Sequence, residues 1–268
     1  MPHSITTLTR RSMLQQAALF TLSLASAAAP RRALANEPGN DVFSSAQDGA
    51  TRLRELGERL AAIERRRDFD EVPFMLTSAQ YWDKDAAAQV LSYRYRARQV
   101  WENTDIAGPW PGLMREAMNG QVFAHDNPDF LAVSATQGLA HLALFSQPMW
   151  DKYALATLAG PKFAMNSLIA EKPGVSPDDK LEDVQGVYGP MNSNIVSLQR
   201  RGAVFIGCHD SIHAIARTLQ TGAFETARAD HIAADLTNNM IPDVVLVPSV
   251  VAFMVEMQRR GFTYSKGG

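Results

Sequence analysis

The feature that most constrains this chain is an alternation of short apolar runs with longer stretches of helical periodicity. Phe130–Thr136, Ala203–Gly207 and Asp243–Val247 are apolar runs of strand length, each followed by a helical pattern over 139–145, 210–220 and 249–260. Near-continuous apolar runs mark strands buried on both faces. Strands alternating with helices predict a parallel sheet flanked by helices on both faces, with right-handed crossovers. Ala97–Trp101 supplies a first strand and Phe262–Tyr264 a short last one. Further helices are expected over 111–123, 191–200 and 226–239, with Gly202 and Gly261 at helix stops. The irregular stretch 159–188 reads as an insertion. No internal repeat and no second domain boundary interrupt the order.

Two amphipathic helices precede the first strand. Leu53, Leu56, Leu60 and Ile63 recur at three- and four-residue spacing over 50–67, which ends in Arg65-Arg66-Arg67, a solvated helix end by this reading. A second helix is expected over 83–98, with Ala86, Val90 and Tyr93 on one side.

The N-terminus carries Arg10-Arg11 directly before an uncharged run to Pro30, then Ala33-Leu34-Ala35 before Asn36. A charged start, an apolar middle and a small-residue cut site make a signal peptide, and paired arginines point to twin-arginine export. Cleavage after Ala35 would place the mature protein in the periplasm with no membrane segment. It removes four of the 26 basic side chains and none of the 28 acidic ones, leaving a net charge of −6. That balance excludes a generally basic nucleic-acid binder. A single cysteine excludes a disulfide framework, a Cys-rich zinc module and c-type haem attachment.

Ligands of open α/β sheets bind at the carboxyl ends of the strands. Those ends hold Trp101, Glu102 and Asn103; Thr136 and Gln137, with His141 a turn later; Cys208, His209 and Asp210, with His213 a turn later; and Pro248 and Ser249. No glycine-rich phosphate loop, Walker pattern or G-x-S-x-G elbow occurs, so no nucleotide or other cofactor is expected. Cys208 is the candidate nucleophile: a thiol where a strand meets a helix N-terminus faces unpaired N–H groups and the positive end of the dipole. The competing reading is a buried core cysteine. His209 would tune the thiol. Trp101, Asn103, Thr136, Gln137, His141 and Ser249 would line the substrate pocket. Cys208, His209 and His213 could alternatively hold copper or zinc.

The run Ile195–Cys208 and the run Ile241–Val251, leading to Gln258–Tyr264, resemble the DsrE/DsrF-like sulfur-relay family, and Met149–Tyr153 is similar to a segment of its exported members. The resemblance extends from about Gln99 to Tyr264. It implies a three-layer α/β/α fold around a mainly parallel five-stranded sheet, a homo-oligomer, and a cysteine that carries sulfur as a persulfide, a position that Cys208 matches. The chain then divides into a signal peptide (1–35), a leader and helical extension (36–96) and an α/β domain (97–268). The implied function is sulfane-sulfur carriage, with small sulfur species or a sulfur-donor protein as partner. The alternative is a non-catalytic protein that binds a small ligand or metal at the same strand ends.

Overall fold

The computed structural model describes residues 50–221 and 224–268; the expected signal peptide and the leader up to residue 49 lie outside them. Five strands form one sheet: β1 (Arg98–Asn103), β2 (Leu131–Thr136), β3 (Val204–Cys208), β4 (Val245–Val247) and β5 (Thr263–Lys266). Every pairing is parallel and the order is β4-β3-β2-β1-β5. The chain steps from β1 to β4 in one direction and returns to place β5 against β1. β2, β3 and β4 are buried at every residue, as their unbroken apolar runs predict, whereas β5 is mostly exposed on the sheet edge.

Helices cover both faces, giving the expected three-layer α/β/α architecture. One face carries α3 (Trp110–Asn119), α4 (Gln147–Tyr153), α5 (Ala156–Ala159), α6 (Ile195–Arg200), α7 (His209–Gln220) and α8 (Ala229–Asn238). Trp110, Met114, Phe145, Phe205, Ile212 and Leu236 build its core. The other face carries α1 (Thr51–Ala61), α2 (Lys84–Ser92) and α9 (Val250–Arg259), whose Leu53, Leu56, Val90, Val250 and Met257 pack on Val133, Ile206 and Cys208. The N-terminal extension is thus built into the layer that α9 begins. Local signals set the helix starts: the Ser249 hydroxyl accepts the N–H of Ala252 at 3.4 Å, and Asn194 Oδ1 accepts that of Ser197 at 2.9 Å.

Several boundaries differ from the periodicity. The helix expected over 83–98 ends at Ser92, because Tyr93 turns inward and its hydroxyl donates to the carbonyl of Asp129 at 2.6 Å. The helix expected over 50–67 ends at Ala61. Arg65 and Arg67 beyond it are not a solvated helix end; they pair with Asp243 and Asp83 at 3.3 and 2.6 Å. The segment 138–144 is a 3-10 turn rather than an α-helix, and α3 ends in a π-turn at Gly120–Ala124. In the stretch 159–188, the Asn166 amide donates to the carbonyls of Ala143 and Phe145, which fastens the irregular backbone to the core.

Candidate functional site

The strand order places a topological switch between β3 and β4. The helix after β3, α7, lies on one face and the helix after β4, α9, lies on the other, so the loops leaving the two carboxyl ends diverge, and the place between them is the usual ligand position of such sheets. Cys208 stands in it, paired with Val247 of β4. It is the N-cap residue of α7, and its Sγ accepts the backbone N–H of Val250, the first residue of α9, at 3.5 Å. The sulfur thus meets the first N–H of α9, while Cys208 makes no side-chain bond to the N–H groups of α7, the helix that it caps. The thiol is free and buried, with 2% of the residue exposed among Ile206, Val247 and Val250.

The candidate residues around it divide by face. Side chains alternate along a strand, so Gly207 and Cys208 address opposite layers. A Cβ on Gly207 would lie 3.1 Å from His141 Nε2 and 3.5 Å from Met240 Sδ, which puts the His141 ring on the layer away from the sulfur. His141 is fully buried, and among the described residues neither ring nitrogen has a hydrogen-bond partner. Burial, with a smaller contribution from the charge of nearby His209, pushes its pKa down to about 3. Thr136 and Asn103 share the His141 layer: Asn103 Nδ2 donates to Ser134 Oγ at 2.7 Å, and that hydroxyl bonds Thr136 Oγ1 at 2.8 Å. Trp101 is buried in the same core, its indole N–H unpartnered.

On the rim, Gln137 Nε2 donates to Glu102 Oε1 at 2.8 Å, and the Tyr264 hydroxyl donates to the other oxygen of the same carboxylate. The pairing of β2 with β3 ends at Thr136 and Gly207, one residue before Gln137 and Cys208. Ser249 is committed to capping α9.

His209 and His213 do share a face of α7, with ring centroids 4.7 Å apart. Their bonds run away from the sulfur. His209 Nε2 donates to the carbonyls of Pro73 and Phe74 at 2.9 and 3.1 Å, and His213 Nε2 to that of Val72 at 3.0 Å. A carbonyl only accepts, so each Nε2 carries hydrogen and has no lone pair for a metal. Among the described residues no group of three or more His, Cys, Asp or Glu side chains is arranged to hold a metal ion. Burial lowers the pKa of His209 to about 4, aided by the charge of His213, and burial also lowers that of His213.

Sequence reasoning missed two participants. One is the Val250 N–H of α9; its signal, Pro248-Ser249 before an apolar helix, was readable, but its meeting with Cys208 depends on β4 lying beside β3. The other is the segment 69–76, which holds both histidines by backbone carbonyls and so leaves no side-chain signature. Two surface clefts, of about 450 Å³ beside Phe69 and Trp82 and about 630 Å³ beside Arg59 and Tyr93, are lined by none of the strand-end residues. Among the described residues no helix is long and apolar enough to cross a membrane. Comparison of the chain with family models, with curated proteins and with solved structures finds no match.

Proposed function

We propose that this protein is an exported sulfur carrier, akin to the DsrE/DsrF-like relay proteins, that holds sulfane sulfur on Cys208. The observation that carries the reading is the place of Cys208 at the junction of β3 and α7, with the first N–H of α9, that of Val250, on its Sγ at 3.5 Å. The thiolate attacks the terminal sulfur of an inorganic polysulfide. A new S–S bond forms at Sγ, the donor's S–S bond breaks, and the shortened polysulfide leaves with the electron pair. Release is the reverse exchange: an acceptor thiolate takes the outer sulfur and Cys208 departs as thiolate, stabilised by the same N–H. No external oxidant or reductant is consumed. Export by the twin-arginine route and assembly into a homo-oligomer belong to the same proposal.

The test is mass spectrometry of the mature protein after exposure to polysulfide. One sulfur atom, about 32 Da, should be added at Cys208 in a form removed by a thiol reductant. Cys208→Ser, nearly isosteric, should fold and gain nothing. Native protein that gains no sulfur under any condition that leaves the thiol open to reagents would defeat the reading.

One observation favours a second reading, a binding protein without turnover. A buried imidazole with two unpartnered nitrogens is costly, and a small polar ligand lodged against His141 on the Gly207 side would satisfy it.

A further inference from the structure

Two donor atoms meet over one glycine of β3. Gly207 has no side chain, and a Cβ there would lie 3.1 Å from His141 Nε2, 3.5 Å from Met240 Sδ and 3.2 Å from Val244 Cγ1. A ring nitrogen, a thioether and a methyl group therefore surround the same point. The His141 ring is fully buried, and among the described residues neither of its nitrogens has a hydrogen-bond partner. Met240, by contrast, is partly exposed, which gives the pair a side toward solvent.

Backbone bonds hold the two donors together. Residues 144–146 and 239–241 run antiparallel: the Ile241 N–H donates to the Leu144 carbonyl at 2.9 Å, the Ser146 N–H donates to the Asn239 carbonyl at 3.0 Å, and Phe145 stands opposite Met240. The first of these segments ends the 3-10 turn that carries His141, whose ring packs on Phe145 with centroids 5.0 Å apart. Asn166 braces the same turn by donating to the carbonyls of Ala143 and Phe145. Imidazole and thioether are thus presented by two segments bonded to each other, the support that a ligand site requires.

The chemistry of the donors selects the ligand. A buried ring nitrogen that meets nothing forfeits its hydration. A hydrogen-bonding ligand would serve the nitrogen, but thioether sulfur is a weak acceptor. A metal ion is served by both. Both donors are neutral, so they do not offset the charge of a dication in a buried site. Nor, among the described residues, is either part of a group of three or more His, Cys, Asp or Glu side chains, the kind of set that a zinc site uses. Thioether sulfur selects Cu(I), a soft monovalent ion that accepts few and neutral donors.

We infer that His141 Nε2 and Met240 Sδ bind a Cu(I) ion over Gly207. The inference rests on the binding-protein reading of the His141 side and names its ligand; Cys208, in the other layer, takes no part. Both donor atoms lie within 3.5 Å of one point, and the flexible thioether closes the remaining gap to donor–metal bonds of about 2.0–2.3 Å. Neutral His141 enters with its hydrogen on Nδ1 and its lone pair on Nε2. Binding releases no proton and transfers no electron: the ion arrives and stays as Cu(I).

The test is anaerobic titration of the purified protein with Cu(I) against the chromophoric chelator bicinchoninate, in a Cys208→Ser background so that the thiol supplies no competing ligand. A single ion should be bound, and Met240→Leu and His141→Leu should each weaken binding at least about tenfold. X-ray absorption of the loaded protein should show one sulfur at about 2.3 Å from copper, absent from Met240→Leu. Met240→Leu is close in volume and lies at a partly exposed position, so it keeps the test decisive should His141→Leu fail to fold. Cys208→Ser protein that binds no Cu(I), binding that both variants leave unchanged, or Zn(II) held as tightly as Cu(I) would each overturn the inference. If Cu(I) is not bound but native mass spectrometry finds a small molecule that His141→Leu releases, the inference falls and the binding-protein reading stands; if neither is bound, both fall.

Discussion

Asp83 completes the free edge of β4 through Leu246. The backbone N–H of Asp83 donates to the Leu246 carbonyl at 3.0 Å, and its carboxylate accepts the Leu246 N–H at 2.7 Å. One residue thus supplies both groups that a neighbouring strand would have given, and an edge that could template another chain is closed. Arg67 holds the carboxylate in place from the other side, at 2.6 and 3.1 Å.

Asp83→Ala should therefore cost more than a lost surface ion pair. It orphans a buried backbone N–H and leaves the half-buried Arg67 guanidinium without its carboxylate, a loss of about 3 kcal/mol. Asp83→Asn, whose Oδ1 can still accept from Leu246, should lose about half as much. Chemical denaturation of the two variants checks this order. Equal losses would mean that the charge pairing with Arg67, and not the closure of the edge, is what stabilises the strand.

The strands were legible because burial on both faces leaves no room for polar positions, so Phe130–Thr136 and Ala203–Gly207 stand out without any periodicity. Helix ends were less so. The apolar spacing of Ala86, Val90 and Tyr93 continues past Ser92, and only the partner of the Tyr93 hydroxyl, Asp129, 36 residues on, explains why the helix stops. The placement of Cys208 at a strand end followed from the local pattern alone. Its surroundings did not. Which helix points at Sγ depends on β4 lying beside β3, and the face on which His141 lies depends on the phase of the pleat at Gly207. The docking of residues 69–76 on α7 and α8 was invisible because their bonds to His209, His213 and His231 use carbonyls, which every residue has.

Acid should weaken the fold over a defined window. Folded His141 and His209 titrate at about 3 and about 4, below the ordinary histidine value of 6.5 to which unfolding returns them. Between these values the unfolded chain binds more protons. The stabilisation is therefore complete above about pH 6.5 and is lost as the pH falls toward the folded values. Each pH unit in that window costs about 1.4 kcal/mol per imidazole held neutral. Urea midpoints should hold from about pH 8 to 7 and decline steeply from about 6.5 to 4. A flat profile through that window would show that these rings are solvated in the folded state.

Processing of the N-terminus is open to a direct check. If Arg10-Arg11 and Ala33-Leu34-Ala35 act as the pattern suggests, mature protein should begin at Asn36. Arg10→Lys with Arg11→Lys should then leave precursor in the cytoplasm. Terminal sequencing and cell fractionation read both outcomes. Undiminished export of the double variant would point to the general secretory route instead.

His141 gives the sharpest separation of the two functional readings. Its ring is fully buried against Phe145, with centroids 5.0 Å apart, and neither nitrogen finds a partner among the described residues. Without a ligand, such a group loses hydration and gains nothing in return. His141→Leu is close to it in volume, removes both unpartnered atoms, and leaves Cys208 on the other face of the sheet untouched. Under the sulfur-carrier reading it should stabilise the protein by about 1–2 kcal/mol, shrink the acid-sensitive window from its lower end, and leave sulfur uptake at Cys208 unchanged. Under the binding-protein reading the imidazole is satisfied by a bound small molecule, and the same substitution removes a partner. Stability would then fall, and protein purified with its ligand would release it on substitution, as native mass spectrometry would show. A destabilised variant that never held a small molecule would mean that buried water bridges the ring, and would count against the binding-protein reading while leaving Cys208 as the site to pursue.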